Sequence, residues 1–321
     1  MTRRRISPAL VAHGGAGARG PAEERPARRR ALLAAVRRGA EVLRQGGSAV
    51  DAVQVTVVEL EDHPLFNAGT GSLLTTEGTV EMDASIMVGR PSQDAATDHR
   101  FSAGAVAVVS RVRNPIVLAR AVMDETPHLM LAGSGAHQFA RRAGIELCRN
   151  EDLITDRARE RWRARQGNVR RRSARNAAGH GTVGAVAIDS NGTIAAGTST
   201  GGVPGKIPGR VGDSAIIGAG TFAVPLGGAS ATGYGEAIII AGLCREAIAA
   251  LSDGSSPSVV ARRAIAALLA PLQAEGGIII VDSRGGIGFA HNAAAMQVAA
   301  FQPAGGFRHF WVEPLTSRKS S

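Results

Sequence analysis

Aromatic side chains are scarce in this 321-residue chain: Phe, Tyr and Trp together make up 3% of it, with a single tyrosine. Its core must therefore be assembled from Ala, Val, Ile and Leu, and 41 glycines point to many close backbone approaches. The same scarcity argues against nucleic-acid binding by base stacking, which needs aromatic platforms. Lysine is almost missing. Only Lys206 and Lys319 stand among 37 basic residues, so the net charge of +10 is carried by arginine. A bias that uniform reads as genomic base composition, and no specific nucleic-acid partner is expected. Two cysteines, Cys148 and Cys244, are too few and too far apart for a disulfide framework or a metal cluster. No apolar run reaches the ~18 residues that cross a bilayer, so no membrane partner is expected. Arg3-Arg4-Arg5 followed by ISPALVA faintly mimics a signal peptide, but it runs straight into HGGAG. A first β-strand is the better reading, and a cytoplasmic location is expected.

Punctuation along the chain predicts its elements. A buried strand over 6–13 ends in a glycine-rich turn. Helical spacing of Leu32, Leu33, Val36, Ala40 and Leu43 predicts a helix over 27–45, stopped by Gly46-Gly47. Ser48 can cap a second helix through Asp62. Strands are expected at 79–88 and 103–110, and helices at 114–124 and 136–147. Two apolar β-prone runs flank Asn191-Gly192, a strong hairpin signal. A strand within 212–223, helices over 235–252 and 257–272, and a hairpin over 276–292 complete the reading. Hairpins between helical runs suggest antiparallel sheets covered by helices, an α+β fold without parallel βαβ repeats.

Residues 149–180 differ in kind. From Arg157 to Arg175 arginine recurs at nine positions with almost nothing apolar between them, which reads as a solvated, partly helical linker. The linker ends at a Gly181–Thr182 junction that opens a buried strand. Were that bond cut, Thr182 would gain a free α-amine beside its own hydroxyl. An α-amine titrates near ~8 and can act as general base for the hydroxyl, a recognised way to activate threonine. Thr200 ends the second strand of the hairpin, where it could face Thr182. Arg210 and Asp213 could clamp an amino acid, the guanidinium on its α-carboxylate and the carboxylate on its α-ammonium; a plain surface ion pair is the alternative. Thr232 and Gly233 precede a helix entry, where a hydroxyl and N–H groups can hold an oxyanion.

The order and spacing of these segments resemble the plant-type asparaginase/isoaspartyl peptidase family of N-terminal-nucleophile (Ntn) hydrolases. The matching stretches are HGGAG at 13–17, PLFNAGTGSLLTTEGTVEMDASIM at 64–87, RNPIVLARAVM at 113–123, GTVGAVAID at 181–189, TSTGG at 198–202, GRVGDSAIIGAGTFA at 209–223 and ATGYGEAIII at 231–240. The resemblance implies a four-layer αββα sandwich, a single domain over 1–321 that cuts itself into an alpha subunit (1–181) and a beta subunit (182–321). It implies Thr182 as nucleophile, Thr200 as its hydrogen-bond partner, Thr232 and Gly233 as oxyanion hole, and Arg210, Asp213, Asn67 and Gly235 at the substrate. The substrates implied are L-asparagine and β-aspartyl dipeptides, giving L-aspartate without an organic cofactor. It also implies a homodimer of alpha-beta units and a structural sodium ion on the main-chain carbonyls of Leu60, Glu61, His63, Phe66, Ala68 and Thr70; the ring of His63 need not take part.

Two departures stand out. The linker is short and Arg-rich, and His291-Asn292-Ala293-Ala294-Ala295-Met296 replaces an Asn-Thr-x-Gly-Met pattern, which leaves room for a maturation-defective relative. Glycosylasparaginase shares the chemistry, but it usually carries Asp before its threonine, where this chain has Gly181. From other classes, Gly15-x-Gly17-x-x-Gly20 formally matches a dinucleotide-binding fingerprint, although Pro21 and Pro26 delay the helix that should follow. An Arg-rich RNA-associated protein is the remaining alternative.

Overall fold

Strand β1 (Ala9–Gly17) carries the HGGAG stretch to its end, and every one of its residues is buried. A computed structural model of the chain describes residues 6–91, 101–166 and 181–315. After β1 come α1 (Arg25–Arg44) and α2 (Ala49–Glu61), the latter capped by the Ser48 side chain accepting from the Asp51 N–H. Next follow β2 (Met82–Gly89), β3 (Phe101–Val109), α3 (Pro115–Glu125), β4 (Met130–Ala132), α4 (Gly133–Arg142) and α5 (Asp156–Gln166). The second half contains β5 (Val183–Ile188), β6 (Ile194–Thr200), β7 (Thr221–Val224), β8 (Gly227–Gly233), α6 (Gly235–Ala241), α7 (Leu243–Ala249) and α8 (Pro257–Ala264). It closes with β9 (Gly276–Asp282), β10 (Ile287–His291), β11 (Ala295–Gln302) and β12 (Gly306–Val312).

The strands form two sheets, in the orders β12-β11-β1-β5-β6-β2-β3-β4 and β10-β9-β8-β7. All ladders are antiparallel except the short β3–β4 pair, which is parallel and so departs from the wholly antiparallel expectation. One cluster of buried side chains lies between α1, α2, α3 and the large sheet, including Leu32, Val53, Ile116 and Ala185. A second joins both sheets through Val11, Val186, Ile194, Ile279 and Val281. A third sets α7 and α8 on the small sheet through Ile248, Val260, Ile278 and Ile280. Central strands are thus buried on both faces, which is why they read as continuous apolar runs rather than alternating ones.

Several expectations are corrected. The fingerprint glycines Gly15 and Gly17 lie inside β1, whose neighbours are antiparallel, and the helix starts only at Arg25. That excludes a dinucleotide-binding βαβ unit. The linker is not simply solvated: Leu153 and Ala158 are fully buried and Trp162 packs against the core, while residues 167–180 lie outside the described ones. The reading of 235–252 as one helix breaks at Gly242, whose left-handed φ of 55° separates α6 from α7. Strands β8, β11 and β12 lie outside the expected elements; GGASATG and AMQVAAFQ carry little of the β-branched composition that marks a strand.

Candidate active site

The Gly181–Thr182 bond sits at the mouth of β5, and pairing does the rest. The β5–β6 register of Val183 with Ser199 sets Thr182 beside Thr200, with 2.9 Å between the two hydroxyl oxygens. Both residues are buried, Thr182 being 6% exposed and Thr200 2%. Thr200 Oγ1 also accepts from the Gly202 N–H at 3.0 Å, so its orientation is held. The Gly181 carbonyl accepts from the Asn67 N–H at 3.1 Å. The Asn67 side chain is engaged elsewhere: it donates to Gly202 O and accepts from the Leu73 N–H. The structure therefore places Asn67 against the Gly–Thr bond through its backbone.

A residue not singled out individually in the sequence meets the same peptide. His13 Nδ1 lies 3.1 Å from Thr182 O. A carbonyl only accepts, so this contact is a hydrogen bond in the tautomer with the proton on Nδ1, where Nε2 accepts from the Ser230 hydroxyl at 3.0 Å; the Gly15 N–H points at the same Nδ1 at 3.4 Å and suits the other tautomer. Burial pushes the imidazole down to about 3, against the pull of its hydrogen bond to Thr182, so the ring is neutral. Beyond Ser230 the chain of contacts runs through Thr198 and Thr221 to Ser85, all buried between the sheets. Only the fold could reveal it, since its members come from β1, β2, β6, β7 and β8.

The second cluster follows β6. Arg210 is not an Arg–Asp surface pair: its Nε and Nη2 bind the Glu236 carboxylate at 3.0 and 2.9 Å. Asp213 is buried, and one of its carboxylate oxygens has no hydrogen-bond partner. Burial pushes its carboxyl up to about 7, against the opposing charge of Arg210. A buried carboxylate oxygen left open has room to accept from a water or a ligand donor. Gly235 lies between the two. A Cβ there would stand 2.8 Å from both Arg210 Nη2 and Asp213 Oδ1, so only glycine keeps the space clear. Asp83 ties this cluster to the first: it pairs with Thr200 across β2–β6 and accepts from the Gly212 N–H at 2.9 Å.

Thr232 and Gly233 end β8, two residues beyond Ser230. Thr232 Oγ1 accepts from the Ala16 N–H at 3.2 Å. Gly233 has φ +143 and lies so near Gly276 and Glu275 that a side chain has no place. The altered 291–296 segment supports this corner: the Asn292 side chain accepts from the Gly276 N–H and donates to Ala274 O. Lys206, one of the two lysines, carries no sequence signal of its place here. It is buried and donates to Glu81 O at 2.7 Å, bracing the loop between Thr200 and Arg210.

Leu60 and Glu61 end α2, and His63, Phe66, Ala68 and Thr70 follow in the same turn as Asn67. His63 Nδ1 accepts from the Leu65 N–H, which leaves that nitrogen occupied within the loop. Among the described residues no group of three or more His, Cys, Asp or Glu could hold a metal ion.

Comparison with known proteins settles the lineage. The family profile described as asparaginase matches residues 6–309. The chain belongs to the asparaginase family. It is 42% identical over 282 residues to a Bos taurus isoaspartyl peptidase/L-asparaginase, covering 87% of this chain and 88% of the relative. A Homo sapiens protein of the same description is 40% identical over 311 residues, covering 96% and 97%. A Pyrococcus abyssi plant-type L-asparaginase is 41% identical over 304 residues, covering 91% and 95%. Membership makes the chain an amidohydrolase. Among the described residues no helix is long and apolar enough to cross a membrane.

Proposed function

We propose that the chain cuts its own Gly181–Thr182 bond and then hydrolyses the side-chain amide of L-asparagine or of N-terminal β-aspartyl dipeptides, releasing L-aspartate. The observation that carries this is the Thr182 hydroxyl, buried 2.9 Å from that of Thr200 at a Gly–Thr peptide. In the first stage Thr182 Oγ1 attacks the Gly181 carbonyl carbon, the C–N bond to Thr182 breaks as the hydroxyl proton passes to its nitrogen, and water opens the ester to leave the Gly181 carboxylate and a free Thr182 hydroxyl and α-amine. The backbone N–H of Asn67 and the Nδ1–H of His13 grip the peptide carbonyls on either side of the reacting bond.

In the second stage the freed α-amine takes the proton of Thr182 Oγ1 as that oxygen attacks the substrate's β-carbonyl. Thr232 and Gly233 hold the oxyanion, and Thr200 holds the nucleophile. Arg210 takes the α-carboxylate, and Asp213, with its open oxygen, takes the α-ammonium in the space cleared by Gly235. The α-ammonium of Thr182 returns its proton to the leaving nitrogen, and water releases aspartate from the ester.

The remaining parts of the reading follow the same lineage. The three buried clusters support a four-layer αββα sandwich, with helices outside two facing sheets. A sodium ion would be held by the carbonyls of Leu60, Glu61, His63, Phe66, Ala68 and Thr70, supplying rigidity to the loop that carries Asn67. The donor set suits a hard cation, and a Cβ at Gly69 would lie 2.4 Å from Glu61 O, so that loop is wound tightly on its own carbonyls. Two free thiols accord with the cytoplasm, and the active form is a homodimer of alpha-beta units.

Denaturing intact-mass analysis of fresh and incubated protein tests the reading. Fragments 1–181 and 182–321 are expected, and Thr182→Ala must remain whole and inactive. A Thr182→Ala protein that still cut itself or its substrate would end the proposal.

A further inference from the structure

Beside Gly181 opens a cavity of about 360 Å³ whose wall is cationic. Gly181 and Asn67 line one part of it, and Arg28, Arg157, Arg161 and Arg165 line another. Among the described residues lining it there is no carboxylate. Glu24, paired to Arg157 at 2.9 Å, is the nearby counter-charge. Arg28 and Arg157 both donate to Leu65 O, and Arg165 donates to Pro204 O. Arg161 makes no hydrogen bond or ion pair with any described residue. The crowding is felt within the cluster: burial, then the charge of Arg157, hold the Arg28 guanidinium down to about 10.

The chemistry says what faces this wall. The Thr182 α-amine, created where Gly181 is attached, is the group that protonates the departing nitrogen. The leaving group must therefore emerge on the Gly181 side, away from Arg210 and Asp213. When asparagine is cleaved, ammonia leaves and has no use for the arginines. When a β-aspartyl dipeptide is cleaved, an amino acid leaves that carries its own α-carboxylate.

We infer that the arginine-lined cavity is the leaving-group pocket and that it selects β-aspartyl dipeptides through the carboxylate of the departing residue. The inference rests on the function proposed above. The C–N bond of the β-amide breaks, its nitrogen takes the proton held by Thr182, and the freed amino acid leaves along the arginine wall. An acidic second residue adds a further anion for the same wall.

The test uses protein shown by mass to be cut at Thr182. The values of kcat/KM are measured for L-asparagine, β-aspartyl-leucine, its C-terminal amide and β-aspartyl-glutamate. The free acid is expected to exceed the amide by about two- to five-fold, the range for partly solvent-screened charge pairs, and the gap should narrow with added salt. In an Arg161→Gln/Arg165→Gln protein the acid-to-amide ratio should fall toward one. Equal values for acid and amide in the wild type, or a ratio unmoved by the double substitution while asparagine is still turned over, overturn the leaving-group pocket alone. Cut protein that hydrolyses none of the four overturns the amidohydrolase reading itself.

Discussion

Replacing Gly235 by Ala separates substrate binding from self-cleavage. The added Cβ would stand 2.8 Å from Arg210 Nη2 and from Asp213 Oδ1, about 0.6 Å or more inside ordinary contact. Neither neighbour yields freely: Arg210 is held by two bonds to Glu236, and Asp213 is short and buried. Gly235 opens α6 and does not have a left-handed φ, so Ala suits the backbone there. The strain therefore falls on the clamp. Losing one charge-assisted bond to the substrate costs about 1.5–3 kcal/mol, or roughly 10- to 150-fold in kcat/KM. Thr182, Thr200 and the Asn67–Gly181 contact are untouched, so the mass of the Gly235→Ala protein should still show 1–181 and 182–321. The assay is kcat/KM for L-asparagine or β-aspartyl-leucine on protein of confirmed mass. A cut protein with unchanged kcat/KM would refute the placement of substrate between Arg210 and Asp213; an uncut one would show that Gly235 serves maturation.

Three more outcomes are expected. Thr200→Val keeps the volume and removes the hydroxyl that holds Thr182, so self-cleavage should slow and kcat fall by about 2- to 12-fold, the ~0.5–1.5 kcal/mol of one neutral hydrogen bond; time-resolved intact mass and initial rates measure both. Asp213 must be ionised to hold an α-ammonium, and its carboxyl is pushed up to about 7, so inhibition by L-aspartate should tighten as pH rises through that value. A Ki independent of pH between about 6 and 8 would count against that role. Burial pushes the Glu61 carboxyl up to about 8, so the folded chain keeps a proton that the unfolded chain sheds near pH ~4.3. That group's contribution to stability falls as pH rises between those two values, and Glu61→Gln removes the loss. Urea melts at low and high pH should show the Gln variant gaining on the wild type as pH rises; parallel curves would refute it.

The RNA-associated alternative meets a specific obstacle in α5. Arg157 and Arg165 are spent on the protein's own carbonyls at Leu65 and Pro204, and Arg157 is also paired with Glu24. What looks like a free basic run in one dimension is partly a lacing of the linker to the body. The two departures from the expected pattern divide in the same way. Asn292 sustains the Gly276 corner next to Gly233 without the missing Thr and Gly, whereas the last part of the linker, 167–180, lies outside the described residues.

By itself the sequence determined what depends on neighbours along the chain. Asn191-Gly192 set the β5–β6 hairpin, and its register put Thr200 opposite Thr182 because antiparallel pairing across a tight turn leaves little freedom. Ser48 and the helical spacing of Leu32 to Leu43 marked α1 and α2 for the same local reason. Tertiary structure alone decided what joins distant segments. Strand β11 slots beside β1 from nearly the other end of the chain, and a run such as AMQVAAFQ becomes a strand because that edge needs pairing. His13 faces Thr182 and Ser230 only once β1, β5 and β8 pack, and Arg210 chose Glu236 over the nearer-in-sequence Asp213. Burial then set the charges: a carboxylate at Asp213 or an imidazole at His13 takes its protonation from the water it has lost, which no spacing of residues records.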